Sequence, residues 1–327
     1  MIQRDNSIDA TKAFAILLVV IGHVIQYSKY DFDNDHLFKF IYSFHMPLFI
    51  FISGYVTYKS NFILKNFLKN KFTTLLIPYF SWLFLSAIVS SIKNNDNVLL
   101  NIRKYIIYPD YGLWFLWVLF FMHLILYVQI ALFKKHFNLS IIISCFFLLI
   151  ISYFIKIDNI FSFKMYSFLL PFFYLGFYFR KYNYEKISIF KFWYLLIPFF
   201  ASLAFFWRRN DLITIGDIFI KSKMIIYFYK YITAIFAIFI VIGLFKSIKK
   251  FPSFVLKIGT NSLIIYSMNF YFLTIFLYFN FDNFITRYLH FLCFPIALFI
   301  ISLSIITGKF LKKSKILSFL LLGTKLY

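Results

Sequence analysis

The sequence predicts an all-helical, polytopic membrane protein with about ten transmembrane helices and both termini in the cytoplasm. Three observations carry that expectation. Hydrophobic residues make up 62% of the 327 residues and charged residues only 14%, with a mean hydropathy of +0.81; that is too little charge to coat a soluble surface. Ten stretches approach the ~20 apolar residues that a helix needs to cross a bilayer core. The charges also segregate by alternate loops. On the side of the N-terminus lie 21 of the 34 Lys and Arg residues, against the acids Asp5, Asp9 and Glu185, a net charge of +18. The other side keeps +4 of the total +22. Lys and Arg concentrate on the cytoplasmic face of a membrane.

The ten spans run, in numbers, over 13–27, 37–58, 75–92, 113–133, 139–155, 165–179, 192–207, 224–245, 262–279 and 288–310. Continuous apolar runs of this length suit helices; barrel strands would alternate. The first span reads as an uncleaved anchor, because no small-x-small cleavage site follows it promptly. There is no internal repeat and no Gly/Ser linker. The whole of 1–327 reads as a single integral membrane domain with no separate soluble domain. The longest loops, 93–112 and 208–223, face outward.

Charge placement also limits the function classes. The basic excess is a topology signal that favours anionic lipid headgroups and anionic cytosolic ligands, so no nucleic-acid partner is expected. Cys145 and Cys293 both fall within apolar runs, which argues against a disulfide framework. No zinc spacing, Walker loop, GxGxxG or GxSxG occurs, and no metal is expected. The acidic run Asp31, Asp33 and Asp35 lacks the Gly and terminal Glu of a calcium loop.

Polar groups at membrane depth are functional candidates by default, since burying them is costly without partners. His23, His45, His123 and Asn269 each sit near the middle of a different span. Four spans bringing polar groups to one level suggest an interior site. Lys12 and His23 are 11 residues apart, three helical turns plus about 20°, so they share a helix face with a rise of ~16 Å. A cation at the cytoplasmic mouth and an imidazole near the bilayer centre suit an anionic ligand entering from the cytosol. The competing reading makes Lys12 a topology anchor and His23 an interhelical hydrogen-bonding group. In the second span, Pro47 is expected to free the carbonyl near Phe44 and kink the helix beside His45; His45 then either meets substrate in the opened cavity or is satisfied by a neighbouring carbonyl. His123, deep in an aromatic helix, reads as structural. Lys69 and Lys71 could hold phosphates or serve as anchors.

The residues 8–23, Ile-Asp-Ala-Thr-Lys-Ala-Phe-Ala-Ile-Leu-Leu-Val-Val-Ile-Gly-His, resemble the opening of the acyltransferase-3 membrane family. That family includes sugar O-acetyltransferases of bacterial surface polysaccharides and fucose O-acetylase-like proteins. Further pieces agree in order: 44–55, with Phe-His-x-Pro-Leu-Phe; 69–79, a basic stretch leading to Leu-Leu-Ile-Pro-Tyr; 113–116, Leu-Trp-Phe-Leu; 171–176; and 258–266, Ile-Gly-Thr-Asn-Ser-Leu-Ile-Ile-Tyr. Three positions depart from the family pattern. Lys12 stands where Arg is common, which keeps the charge and loses the bidentate fork. The pair before span three is Lys71 and Thr74 where arginines are common. Asn269 stands where His is common; it can hydrogen-bond but cannot shuttle a proton.

The resemblance implies transfer of an acyl group, acetyl above all, from cytosolic acyl-CoA to a sugar hydroxyl of a surface polysaccharide or its lipid-linked precursor, in the inner (cytoplasmic) membrane of a bacterium. Acetyl-CoA is then the co-substrate, and the partners are acyl-CoA, a saccharide or lipid-linked glycan acceptor, and membrane lipids. The implied catalytic residues are His23, as general base, and His45. Lys12, oriented by Asp9, with Lys69 and Lys71, would hold the donor. Trp114 and Asn269 would contact the acceptor. The alternative reading is a polymerase or flippase of a surface-glycan pathway.

Overall fold

A computed structural model describes residues 5–28, 31–58, 64–154, 159–184, 188–209, 213–215, 218–220, 222–278 and 288–324. Arg4, Lys59, Glu185, Lys186 and Lys325, which enter the charge asymmetry, lie outside the described residues. All ten expected spans are largely helical over their described residues. Seven helical segments are long and apolar enough to cross a membrane: Asn6–Ser28, His36–Thr57, Asn66–Asn94, Trp114–Leu132, Ile160–Lys181, Lys223–Ser247 and Leu289–Leu311. Shorter apolar helices, Phe137–Ser152, Lys191–Phe206 and Ser262–Ile275, account for the other three. The chain is therefore a multi-pass helical membrane protein.

Its contacts group into two compact units. The first comprises residues 1–52 and 179–308, the second residues 53–178 and 309–327.

At the centre of the first unit is α1 (Asn6–Ser28). Asp5 starts it: its carboxylate accepts from the backbone N–H of Ser7 at 3.0 Å, filling one of the backbone donors that a helix start leaves open, and from the Ser7 hydroxyl at 2.6 Å. Helices α2 (His36–Tyr42) and α3 (His45–Thr57) follow. Asp35 caps α2 by accepting from the Phe38 N–H at 3.0 Å. Here the structure sharpens the expected kink into a break at Ser43–Phe44. Pro47 falls in the first turn of α3, where a missing N–H is tolerated, and the Phe44 carbonyl is not freed but accepts from the Leu48 N–H at 2.8 Å.

The second unit contains the end of α3, then α4 (Leu64–Lys71), α5 (Ile77–Asn94), α6 (Val98–Ile107), α7 (Trp114–Leu132) and α8 (Phe137–Phe154). A π-helical turn at Phe72–Leu76 joins α4 to α5. Pro78 has no N–H for the Thr74 carbonyl, and the Thr73 and Thr74 hydroxyls both turn back to the Asn70 carbonyl, at 3.0 and 2.8 Å. The outward loop over 93–112 holds a helix of its own, α6, capped by Asn97 on the Leu99 N–H at 2.8 Å.

Chain order continues with α9 (Phe163–Lys181), α10 (Ile197–Phe206), the antiparallel hairpin β1 (Ile213–Ile215) and β2 (Ile218–Ile220), and α11 (Lys223–Ser247). The hairpin pairs Ile213 with Ile220 and Ile215 with Ile218, so the second expected loop also carries regular structure. The last helices are α12 (Ser253–Thr260), α13 (Ser262–Tyr278), α14 (Leu289–Leu311) and α15 (Lys315–Leu322). In the second unit, α15 packs on α5 and its Leu321 carbonyl accepts from the Trp82 indole N–H at 3.0 Å.

In the first unit α1 packs against α2, α11, α12 and α13. The contact with α12 is backbone to backbone: a Cβ at Gly259 would overlap the carbonyl oxygen of Asp9. This seats the turn bearing Asp9 and Lys12 directly on α12.

Candidate active site

The N-terminal end of α1 carries two ion pairs. The Lys12 Nζ lies 3.3 Å from Asp9 Oδ1, and Lys12 is only partly covered. One turn earlier, Lys246 on α11 meets Asp5 at 2.6 Å. Burial raises the Asp5 carboxyl pKa, but the hydrogen bonds and charge of Lys246 and the donors of Ser7 outweigh it and hold the carboxyl below its ordinary value. Lys12 thus projects from a carboxylate-braced helix end.

Three turns further along the same face, His23 is partly exposed. Its Nδ1 lies 2.7 Å from Asn269 Oδ1. The amide nitrogen of Asn269 donates to the carbonyls of Ile265 and Tyr266 on its own helix, at 3.1 and 2.6 Å. Carbonyl oxygens only accept. The amide of Asn269, buried at 1% exposure, therefore turns its oxygen to His23. That oxygen also only accepts, so Nδ1 of His23 carries the hydrogen and Nε2 carries the lone pair. Nε2 has no hydrogen-bond partner among the described residues.

His45 is buried, and its Nδ1 donates to the Ile41 carbonyl at 2.9 Å. In an unbroken helix that carbonyl would take the backbone N–H of His45; at the break it takes the Phe44 N–H at 3.3 Å together with the His45 ring. The carbonyl partner considered for His45 is thus present, and Nε2 is again left without a partner among the described residues. The Tyr42 ring stands 4.5 Å from the His45 ring. It also lies against Gly22, where a Cβ would be 2.8 Å from Tyr42 Cε2. Gly22, next to His23, thus makes room for a neighbouring ring. The Tyr42 hydroxyl donates to Gln26 Oε1 at 2.8 Å.

His123 is structural. It is buried, its Nδ1 donates to the Leu119 carbonyl at 2.6 Å, and its Nε2 shares a 2.9 Å hydrogen bond with the Thr57 hydroxyl.

The first unit therefore brings together Asp9, Lys12, His23, His45 and Asn269. Lys69, Lys71 and Trp114 belong to the second unit. There Lys69 is exposed, Lys71 sits 5.7 Å over the Phe67 ring, and Trp114 is half-buried beside Phe115. Asn269, assigned from sequence to the acceptor, has its whole amide committed to His23 and its own helix. Sequence reasoning did not single out Gln26 or Tyr42. The signal was present: Gln26 follows His23, and Tyr42 precedes His45, by three residues, about one helical turn.

The profile of the acyltransferase-3 family, described as an acyltransferase domain, matches residues 5–308. The chain belongs to this family. Two curated relatives are nodulation proteins named NolL. The one from Mesorhizobium japonicum is 36% identical over 129 residues, covering 36% of this chain and 34% of the relative. The one from Sinorhizobium fredii is 44% identical over 87 residues, covering 24% of this chain and 23% of the relative. The matched segments thus span about a third of these relatives or less. No solved structure matches the chain.

Proposed function

We propose that this acyltransferase-3 member is a membrane-bound O-acyltransferase. It moves an acyl group, acetyl above all, from acyl-CoA to a sugar hydroxyl of a surface polysaccharide or its lipid-linked precursor, in the cytoplasmic membrane of a bacterium. One observation carries the mechanism: the His23–Asn269 hydrogen bond leaves an imidazole lone pair free on the helix face that carries Lys12. A sugar hydroxyl is a poor nucleophile at neutral pH and needs a base.

In the proposed step, His23 Nε2 takes the hydroxyl proton as the oxygen attacks the thioester carbonyl. A C–O bond forms, the C–S bond breaks, and the departing CoA thiolate recovers the proton from the imidazolium. Lys12 attracts the anionic donor, and Asp9 keeps its ammonium at the helix end. Direct transfer is preferred because, among the described residues, no Ser or Cys hydrogen-bonds to His23 as part of a triad.

The basic face of α1 is assigned to the cytosol on the charge asymmetry. Cysteine labelling should find position 66 accessible from the cytosol and position 34 from outside. The deciding experiment offers radiolabelled acetyl-CoA to membrane vesicles with and without the protein and analyses the glycan. Protein-dependent, base-labile label on the glycan supports the reading; label that never reaches a glycan removes it.

A further inference from the structure

The proposed transfer uses one of two imidazoles that the first unit prepares alike. His23 gives its Nδ1 hydrogen to Asn269 Oδ1 at 2.7 Å, and His45 gives its own to the Ile41 carbonyl at 2.9 Å. Both partners are carbonyl oxygens, which only accept, so each ring keeps its lone pair at Nε2. Neither Nε2 has a hydrogen-bond partner among the described residues, yet neither is sealed from solvent. Each therefore opens on space that a hydroxyl can reach. His45 as a whole is only 5% exposed, so the little of it that is uncovered includes its one unpaired polar atom.

The two rings belong to one place. Tyr42 packs against α1 at Gly22, the residue before His23, where a Cβ would stand 2.8 Å from Tyr42 Cε2. Its hydroxyl reaches Gln26, about one turn past His23, at 2.8 Å. Its ring centre lies 4.5 Å from that of His45. A single tyrosine ring thus bridges His45 to the α1 turn that bears His23, and a charge on the His23 ring is felt at His45. Tyr42 and Gln26 satisfy each other and act as frame. The imidazoles present two hydrogen-bond acceptors and, with both ring hydrogens committed, no donor. A carboxylate or phosphate, which only accepts, has nothing to bond there. A lone hydroxyl meets one acceptor. Two hydroxyls on neighbouring carbons meet both.

We infer that His45 orients the acceptor and restricts it to a vicinal diol: the hydroxyl to be acylated donates to Nε2 of His23, and the hydroxyl on the adjacent carbon donates to Nε2 of His45. What happens to the first hydroxyl rests on the proposed acyl transfer; the two-point binding does not. In that transfer the first oxygen forms a C–O bond to the acyl carbon as its proton passes to His23. The thioester C–S bond breaks, and the thiolate takes the proton back. The second hydroxyl keeps its proton and changes no bond. The product is an ester with a free hydroxyl beside it.

Two variants and one chemical label test this. His45→Phe keeps a ring against Tyr42 and removes the acceptor; His45→Gln puts an amide oxygen near the place of Nε2. The probe is base-deacetylated surface polysaccharide from the cell of origin. Leaving a sugar hydroxyl unpaired weakens binding roughly five- to hundredfold. His45→Phe should therefore raise half-saturation for polysaccharide at least fivefold and leave that for acetyl-CoA within twofold, at the parent's membrane abundance. His45→Gln should fall between. Nuclear magnetic resonance of the parent's product should find the acetyl group on a carbon whose neighbour carries a free hydroxyl. An acetyl group on an isolated hydroxyl, an unchanged polysaccharide half-saturation in His45→Phe, or an equal rise for both substrates overturns the assignment. Diethyl pyrocarbonate, which acylates unprotonated imidazole nitrogen, gives a reading on the parent that needs no transfer. His23 and His45 should both be modified, while His123, bonded at both ring nitrogens, should not. The polysaccharide should slow modification of His23 and His45 together, and the same polysaccharide after periodate cleavage of its diols should slow neither. If His45→Phe does not accumulate, or if the parent transfers no acetyl group and acyl transfer fails as a reading, this labelling alone decides. Joint protection that periodate abolishes upholds the diol site; protection of one histidine only, equal protection by both preparations, or none overturns it.

Discussion

Asn269 accepts a hydrogen bond from Nδ1 of His23 at 2.7 Å across 246 residues of sequence, while its own amide hydrogens are spent on the carbonyls of Ile265 and Tyr266. The asparagine cannot rotate its amide without losing both of those bonds. It acts as a clamp on one tautomer of the imidazole, and its role in the proposed chemistry is positioning.

A positioning role has a kinetic signature. Asn269→Leu should lower kcat roughly ten- to hundredfold through misplacement of the ring, with half-saturation for both substrates little changed. Asn269→His, which restores an acceptor nitrogen, should recover most of the loss. Equal kcat in the leucine variant at normal membrane abundance would leave the clamp without a catalytic consequence.

General-base catalysis contributes about 10²–10⁴-fold, so His23→Gln should lose at least two orders of magnitude in transfer rate. Glutamine keeps hydrogen-bonding capacity toward Asn269 but takes no proton at neutral pH. Membrane abundance, read by quantitative blotting, should stay near that of the parent. A well-folded His23→Gln protein with near-normal acetylation would move the base to His45.

Lys12 is tested by the split between donor and acceptor kinetics. Lys12→Ala should raise the half-saturating concentration of acetyl-CoA and spare that of the glycan. Lys12→Arg should retain much of the activity, since charge at the mouth is the quantity that matters. Unchanged donor kinetics in the alanine variant would return Lys12 to a role in membrane topology.

Gly259→Ala probes the seat of α1. The added methyl would overlap the Asp9 carbonyl oxygen, and backbone against backbone cannot yield as a side chain can. Overpacking costs about 1–3 kcal/mol, so the variant should show lower thermal stability in detergent and a reduced yield from membranes. Thermal stability equal to the parent would mean that α1 and α12 slide apart freely.

Much of this was legible in the sequence, for physical reasons that can be named. Apolar runs as long as a bilayer is thick mark spans regardless of tertiary packing, which is why the seven long helices were visible; the other three expected spans are shorter apolar helices. The Lys12–His23 face was readable because helical periodicity relates residues 11 apart. The His23–Asn269 bond was not: Asn269 could be placed at mid-depth, but nothing local says which polar group of another span it meets. The break at Ser43–Phe44 was anticipated only as a kink, because Pro47 signals disturbance without fixing on which side the hydrogen bonds fail. The helix over Val98–Ile107 and the Ile213–Ile220 hairpin lie in segments too short and mixed to separate from loop by pattern. Tyr42 was passed over as one tyrosine among many, since a ring contact is a property of the packed chain.

The fixed ring also sets the order of events. With Nδ1 committed to Asn269, a single nitrogen must both take up the proton and return it. On the proposed reaction, the hydroxyl that loses a proton and the thiolate that regains one must reach the same atom before either product departs. Initial rates measured against the two substrates should then give intersecting reciprocal plots, the pattern of a ternary complex. Parallel lines would instead indicate a two-stage relay through an acylated enzyme.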